Sequence, residues 1–247
     1  MTDLASARAE DYVRQNNLTG KAAEVYLDQQ AQEVLATVNL YLGAVADVIK
    51  KHEGTLDKYI GDCVMAFWGA PTPNPKHALS CVQAAIEAQR GIYSLNLARA
   101  AENKLREAEN VKRAAANQPL LYMHNLLSLG TGINSGLVTV GLMGSDAHIL
   151  NYTVFGREVN LASRLEGVSG RGRIIIGEAT YEDLKRDDPE LAARCSPQPP
   201  VTVKGIRNAV KIFEVPWKQD NLPPTTSAPI RTTQETLAIS IENKKLG

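Results

Sequence analysis

Thr55-Leu56-Asp57-Lys58-Tyr59-Ile60-Gly61-Asp62-Cys63-Val64-Met65-Ala66-Phe67-Trp68-Gly69 is the stretch from which the fold is best read. Two short apolar-rich segments flank a Gly-Asp pair, which predicts a β-hairpin with Asp62 at its turn. A carboxylate beside glycine at a hairpin tip can reach a metal without burial, and hard oxygen ligands suit Mg²⁺ bridging phosphates. Lys58 alternates with Leu56 and Ile60 and so falls inside the first strand, where a cation needs a partner or an opening to water. Each feature also has a plain reading: a Gly-Asp turn is a common turn, and an edge position accounts for the lysine equally well.

Upstream, Lys21 to Lys51 reads as one long helix. Leu35, Val38, Leu42, Val45 and Ile49 recur at steps of three and four, and Gly54 is the expected C-terminal stop. Downstream, Pro71, Pro73 and Pro75 make the hairpin exit irregular, and a second helix runs from near His77 past Arg99. Ala98 to Ala116 extends that helix or forms an exposed arm, about 98–120, whose charges read as a solvated face. Strands are expected at Leu126–Gly132, Leu137–Leu142, Asn151–Phe155 and Arg173–Ile176, with Val201–Lys204 and Val210–Val215 as a closing pair. Helices are expected at Glu158–Glu166, where Val159, Ala162 and Leu165 share a face, and at Ala179–Lys185. The order suits an α/β (α+β) domain over residues 1–217: a mixed sheet with helices packed on one face. A strand should precede the long helix, and only residues 1–4 are available for it. Residues 218–247, rich in Pro, Thr and Ser, read as a flexible tail.

Lys plus Arg and Asp plus Glu both number 27, so the net charge is zero and no basic footprint marks a nucleic-acid partner. Cys63, Cys81 and Cys195 have no metal-ligand spacing and read as reduced thiols. No run approaches the roughly 18 apolar residues of a membrane span. The expected location is cytoplasmic, either free or as the cytoplasmic part of a longer membrane-associated protein.

Asn160 and Arg164 lie four apart on one predicted helix, so they project from the same side. An arginine there can hold phosphate oxygens and an asparagine can orient a ribose oxygen, although a surface amide and cation have the same spacing. Lys204, before Gly205, either meets a triphosphate or faces solvent. His52, His77, His124 and His148 form no ligand set, and Gly130–Gly136 lacks the lysine of a phosphate loop, so it reads as strand and turn.

Taken together the segments are far more specific. Glu53 to Asp62, Phe67-Trp68-Gly69-Ala70-Pro71, Gly132-Ile133-Asn134-Ser135-Gly136, Tyr152 to Glu166 and Val203-Lys204-Gly205 resemble, in order, the catalytic domains of class III adenylate/guanylate cyclases. The resemblance covers roughly Lys21 to Trp217. It implies a ferredoxin-like nucleotidyl cyclase fold with a mainly antiparallel mixed sheet, and a head-to-tail homodimer with interfacial active sites. It further implies two Mg²⁺ or Mn²⁺ ions per site and conversion of ATP to cyclic AMP.

By that resemblance, Asp62 matches the second metal aspartate and Asp3 stands where the first would be. Lys58 and Thr153 match the purine-selecting pair in its ATP-using version, since a guanylate cyclase usually carries an acid at the Lys58 position. Asn160 matches the asparagine that orients the ribose and Arg164 the arginine that stabilises phosphate charge. Lys204, with Arg207 in reserve, matches the phosphate-binding cation. The family's Gly-Phe-Thr turn is replaced by Ala5-Ser6-Ala7-Arg8 after Asp3. That departure leaves a second reading, a catalytically inactive cyclase-fold module for regulation or dimerisation. A regulatory domain outside this chain is a possible partner in either case.

Overall fold

The computed structural model describes residues 10, 12–14, 19–116, 118, 120–144, 150–202 and 209–218. In chain order the elements are α1 (Gly20–Lys51), β1 (Thr55–Ile60), β2 (Cys63–Phe67), α2 (His77–Ala115), β3 (Thr131–Ile133), β4 (Thr139–Gly144) and β5 (Leu150–Phe155). There follow α3 (Arg157–Ser169), β6 (Ile174–Gly177), α4 (Glu178–Asp187), α5 (Pro189–Arg194), β7 (Ser196–Val201) and β8 (Val210–Glu214). The expected strand at residues 1–4 and the tail beyond Lys218 lie outside the described residues.

The central sheet has the order β3-β6-β8-β7, with β3 parallel to β6 and the other pairings antiparallel. Of its two inner strands, β6 carries Ile174-Ile175-Ile176, all fully buried. Alternate side chains of a strand face opposite ways. Ile174 and Ile176 accordingly join Leu79, Val82 and Tyr93 of α2 and Leu184 of α4, whereas Ile175 joins Leu161 and Leu165 of α3. Helices therefore cover both faces of this sheet rather than the single face expected, which is why β6 can be a continuous apolar run. Two further antiparallel ribbons, β1–β2 and β4–β5, complete the strands.

β7 contains Pro197, Pro199 and Pro200, residues that a central strand does not tolerate. It lies at the sheet edge, where a missing N–H donor costs no ladder bond. The closing pair thus begins at Ser196 rather than Val201. Trp217 ends the core: its indole N–H donates to Gly172 O at 2.7 Å, and its ring meets Tyr93 edge-on.

By length and mean hydropathy (1.2 over its best window), α1 would pass for a membrane span, contrary to the expectation that no stretch would. Its buried positions are Thr37, Tyr41 and Ile49, and Leu35, expected inward, is exposed. The stripe is rotated because α2 offers polar partners. Tyr41 Oη donates to Asn96 Oδ1 at 2.7 Å, and Arg99 donates to Thr37 Oγ1 while lying over the Tyr41 ring. The helix stop also differs in detail. Glu53 takes the left-handed conformation (φ 60°), and Gly54 is required because a Cβ there would sit 2.6 Å from the Trp68 ring.

The largest correction concerns the arm. α2 does extend to Ala115, but its polar face is not merely solvated. Segment 120–129 lies antiparallel along it, held by side-chain amides. Asn96, Asn103 and Asn110 each donate Nδ2–H to a backbone carbonyl (Leu127, His124, Leu121) and accept that same residue's N–H on Oδ1. Gln89 holds Leu129 O, and Arg99 and Arg106 hold Asn125 O and Tyr122 O. Seven helical residues advance about 10.5 Å. Three extended residues advance about 10 Å, so an amide every heptad meets a backbone group every third residue. The amides replace a partner strand, which explains why Leu126–Gly132 is strand only from Thr131 onward. Asn103→Ala should therefore cost about 1–3 kcal/mol and speed hydrogen exchange at the His124 amide. Unchanged exchange at that amide would show that Asn103 is not what protects it.

Candidate active site

The β1–β2 hairpin forms as read. Ile60 pairs with Cys63, and Gly61 adopts φ 61°, a conformation glycine takes without a Cβ penalty, beside Asp62. Asp62 is exposed at this tip, and its charge reaches α3. Glu166 there has its carboxyl pushed up, first by burial and then by the Asp62 charge. The Cys63 thiol is raised by burial and by the same two acids. Burial holds the Cys81 thiol up at about 12 and Cys195 at about 11, so neither is a nucleophile at neutral pH.

Lys58 finds its partner across the fold. Its Nζ donates to Thr153 Oγ1 of β5 at 2.9 Å, joining two residues 95 apart in sequence. Behind both stands Asp57, which the sequence reading passed over. Its Oδ2 accepts from the Thr153 hydroxyl at 2.6 Å and from Val154 N at 3.3 Å, and its Oδ1 is 2.8 Å from Lys58 Nζ. Among the described residues no well-angled hydrogen bond reaches Oδ1, and the Lys58 ammonium compensates it by charge. Burial pushes the Asp57 carboxyl up, but the Lys58 ammonium with the donors from Thr153 and Val154 outweighs it and holds the group below its ordinary 3.8. The acid is thus ionised throughout neutral pH. This folded-state stabilisation is present above the ordinary value and is lost only as pH falls through the depressed one. The signal available in sequence was Lys58 itself, a strand cation in need of a partner with an acid adjacent.

Asn160 and Arg164 project from the exposed side of α3, while Leu161 and Leu165 are buried on the other. The sequence placed them on one helix face, and the structure does so. Asp3, Lys204 and Arg207 lie outside the described residues. The described residues thus unite Lys58 with Thr153, align Asn160 with Arg164, and set Asp62 at a hairpin tip.

Among the described residues no group of three or more His, Cys, Asp or Glu side chains converges on one point. Asp62 nevertheless supplies a hard, exposed oxygen donor at the hairpin tip. The donor chemistry fits Mg²⁺ or Mn²⁺ with Asp62 as one ligand.

Residues 20–215 match the family described as the adenylate and guanylate cyclase catalytic domain. The chain belongs to that family. This cyclase domain is 29% identical over 185 residues to adenylate cyclase 1 of Rhizobium meliloti, covering 74% of this chain and 24% of that protein. It is 30% identical over 186 residues to an adenylate cyclase of Anabaena cylindrica, covering 74% and 32%. The domain therefore spans a third or less of the length of these relatives. Among solved structures, the adenylyl cyclase CyaB from P. aeruginosa superposes with a TM-score of 0.57 at 30% identity, over 78% of this chain and 86% of that one. The guanylyl cyclase Cya2 superposes with a TM-score of 0.56 at 31% identity, over 75% and 81%. The fold is thus that of a nucleotidyl cyclase catalytic domain, and similar relatives include both adenylate and guanylate enzymes.

Proposed function

We propose that this cyclase domain converts ATP to 3′,5′-cyclic AMP and pyrophosphate at the interface of a homodimer. The observation that carries the choice of ATP is Lys58. Its side chain is 38% exposed while the neighbouring Asp57 side chain is 0% exposed. The charge shown outward on this strand is therefore a cation, a hydrogen-bond donor suited to the N1 acceptor of adenine and opposed to the N1–H of guanine.

In the reaction, the ribose 3′ hydroxyl gives up its proton to solvent, its oxygen forms a bond to the α-phosphorus, the bond from that phosphorus to the bridging oxygen breaks, and pyrophosphate leaves with that bond's electron pair. Asn160 orients the ribose, and Arg164 holds phosphate oxygens as charge develops on them. Lys204, or Arg207 in reserve, adds a cation at the triphosphate, and Lys58 with Thr153 selects the purine. Asp62, and Asp3 at the start of the chain, would hold two Mg²⁺ or Mn²⁺ ions, which supply charge neutralisation at the phosphates when bound. Fixing nucleophile and phosphorus in one ligand makes the attack intramolecular, which supplies much of the rate. The catalytic unit is residues 1–217, followed by a tail over 218–247.

The replacement of the family's Gly-Phe-Thr turn by Ala5–Arg8 favours a second reading, a cyclase fold without catalysis that serves regulation or dimerisation. The two separate in one assay: cyclic nucleotide formed by the purified chain from ATP and from GTP, each in Mg²⁺ and in Mn²⁺. Cyclic AMP from the parent, lost in Asp3→Ala and Asp62→Ala, is the expected result. No cyclic nucleotide at any protein concentration overturns catalysis by this polypeptide.

A further inference from the structure

Lys58 is held in place by a device of its own. Neighbouring residues on a regular strand point to opposite faces, so Asp57 and Lys58 should not meet. The pairing of β1 with β2 shifts between Leu56 and Lys58, leaving Asp57 as the extra residue of a bulge. The bulge re-aims the strand so that the Asp57 carboxylate and the Lys58 ammonium come within 2.8 Å on one side. From β5, the Thr153 hydroxyl and the Val154 N–H close on the same carboxylate. The Asp57 side chain is 0% exposed and Thr153 is 1% exposed. Of these groups, only Lys58 is exposed, its side chain at 38%.

The hydrogen-bond roles follow from the proton inventory. A hydroxyl has one proton, and Thr153 gives it to Asp57 at 2.6 Å, so its oxygen is left to accept from Lys58 at 2.9 Å. Two hydrogen-bond donors of β5 and the Lys58 ammonium converge on one side chain, and an ionised carboxylate answers both the donors and the charge. The ammonium is gripped from behind by Asp57 and Thr153, so what it presents outward is an N–H in a fixed place.

We propose that Asp57 is the positioning residue for Lys58: by anchoring the ammonium with Thr153 behind it, Asp57 sets the preference of this domain for a purine edge with an acceptor at N1, adenine over guanine. The proposal rests on the reading that Lys58 faces the purine. It goes beyond that reading by making Thr153 an anchor acting through Lys58 rather than a direct reader of the base. Without the anchor, the lysine is free to swing toward the O6 acceptor of guanine, and discrimination falls.

The test uses the whole chain with Asp57→Asn, which keeps the shape but brings a donor in place of one acceptor oxygen, and Thr153→Val, which removes only the hydroxyl. Circular dichroism melts establish that each variant is folded, and Thr153→Val carries the test if Asp57→Asn does not fold. Two readouts are taken. The first is the rate at which a succinimidyl ester acylates Lys58, followed by mass spectrometry, with and without ATP or GTP. The second is the kcat/KM ratio for ATP over GTP.

Asp57→Asn should acylate about tenfold faster at Lys58 and lose about tenfold in the ATP-over-GTP ratio, chiefly through KM for ATP. Thr153→Val should show the same changes at smaller size. In the parent, ATP and not GTP should protect Lys58, and in Asp57→Asn the two should protect alike. An unchanged acylation rate in folded variants overturns the anchor. A faster rate with the ATP preference intact overturns its role in selection. If neither nucleotide protects Lys58 in the parent, the purine-facing reading falls and selection with it, while the acylation rate without nucleotide still decides the anchor.

Discussion

Arg164→Ala is expected to lower cyclic AMP formation by about 10²–10³-fold, with a melting temperature close to the parent's. The two halves of that expectation have separate causes. Among the described residues Arg164 has no hydrogen bond or ion pair, and it stands on the exposed side of α3. Truncating such a side chain usually moves stability by no more than about 0.5 kcal/mol. In the proposed mechanism its work lies in the transition state, where negative charge spreads over the phosphate oxygens and a guanidinium can meet two of them at once. The loss should therefore appear in kcat, with little change in nucleotide affinity. Arg164→Lys should recover only part of it, because an ammonium is a point charge without the planar fork. Parental kcat in a folded Arg164→Ala protein would remove Arg164 from the proposed mechanism. Asn160 lies on the same face one turn earlier, and Asn160→Ala should fall in the same direction by the same assay.

Several elements were legible in sequence because local rules determine them. The hairpin at Gly61-Asp62 follows from turn chemistry, and α3 from a 3.6-residue period that buries Leu161 and Leu165 and frees Asn160 and Arg164. Other features depend on partners distant in the chain. The inward stripe of α1 includes Thr37 and Tyr41 only because Arg99 and Asn96 are there to meet them. β7 tolerates its prolines only because it is an edge strand, a fact of sheet order. Leu126–Gly132 was expected to be a strand, yet before Thr131 the partner of this stretch is a helix side that carries Gln89, Asn96, Asn103 and Asn110 seven residues apart. That repeat was visible in the chain, but its meaning required the strap lying across it. Asp57 was hidden for a similar reason: a bulge, which sequence alternation does not announce, turns it to the same side as Lys58.

A second large effect is expected at a glycine remote from any charge. Gly132 of β3 lies against the backbone of α3, and a Cβ there would come within 2.0 Å of Glu166 N, 2.4 Å of Ala162 O and 2.6 Å of Leu165 C. These are backbone atoms of a helix, so no side-chain rotation relieves the contact, and α3 must move away from the sheet. Leu165 and Leu161 would then lose part of their packing on Ile175 and Ile212. Gly132→Ala should cost about 3 kcal/mol or more in denaturant unfolding. Gly141 of β4 is the control: nothing lies within 4 Å of a Cβ built there, and alanine at that position should be neutral or slightly stabilising. The same displacement links packing to chemistry, because α3 carries Asn160 and Arg164. Any folded Gly132→Ala protein should therefore be weaker in kcat than its residual stability explains. If Gly132→Ala proves as stable and as active as Gly141→Ala, α3 must rest farther from β3 than this close contact requires, and the placement of Asn160 and Arg164 would have to be redrawn with it.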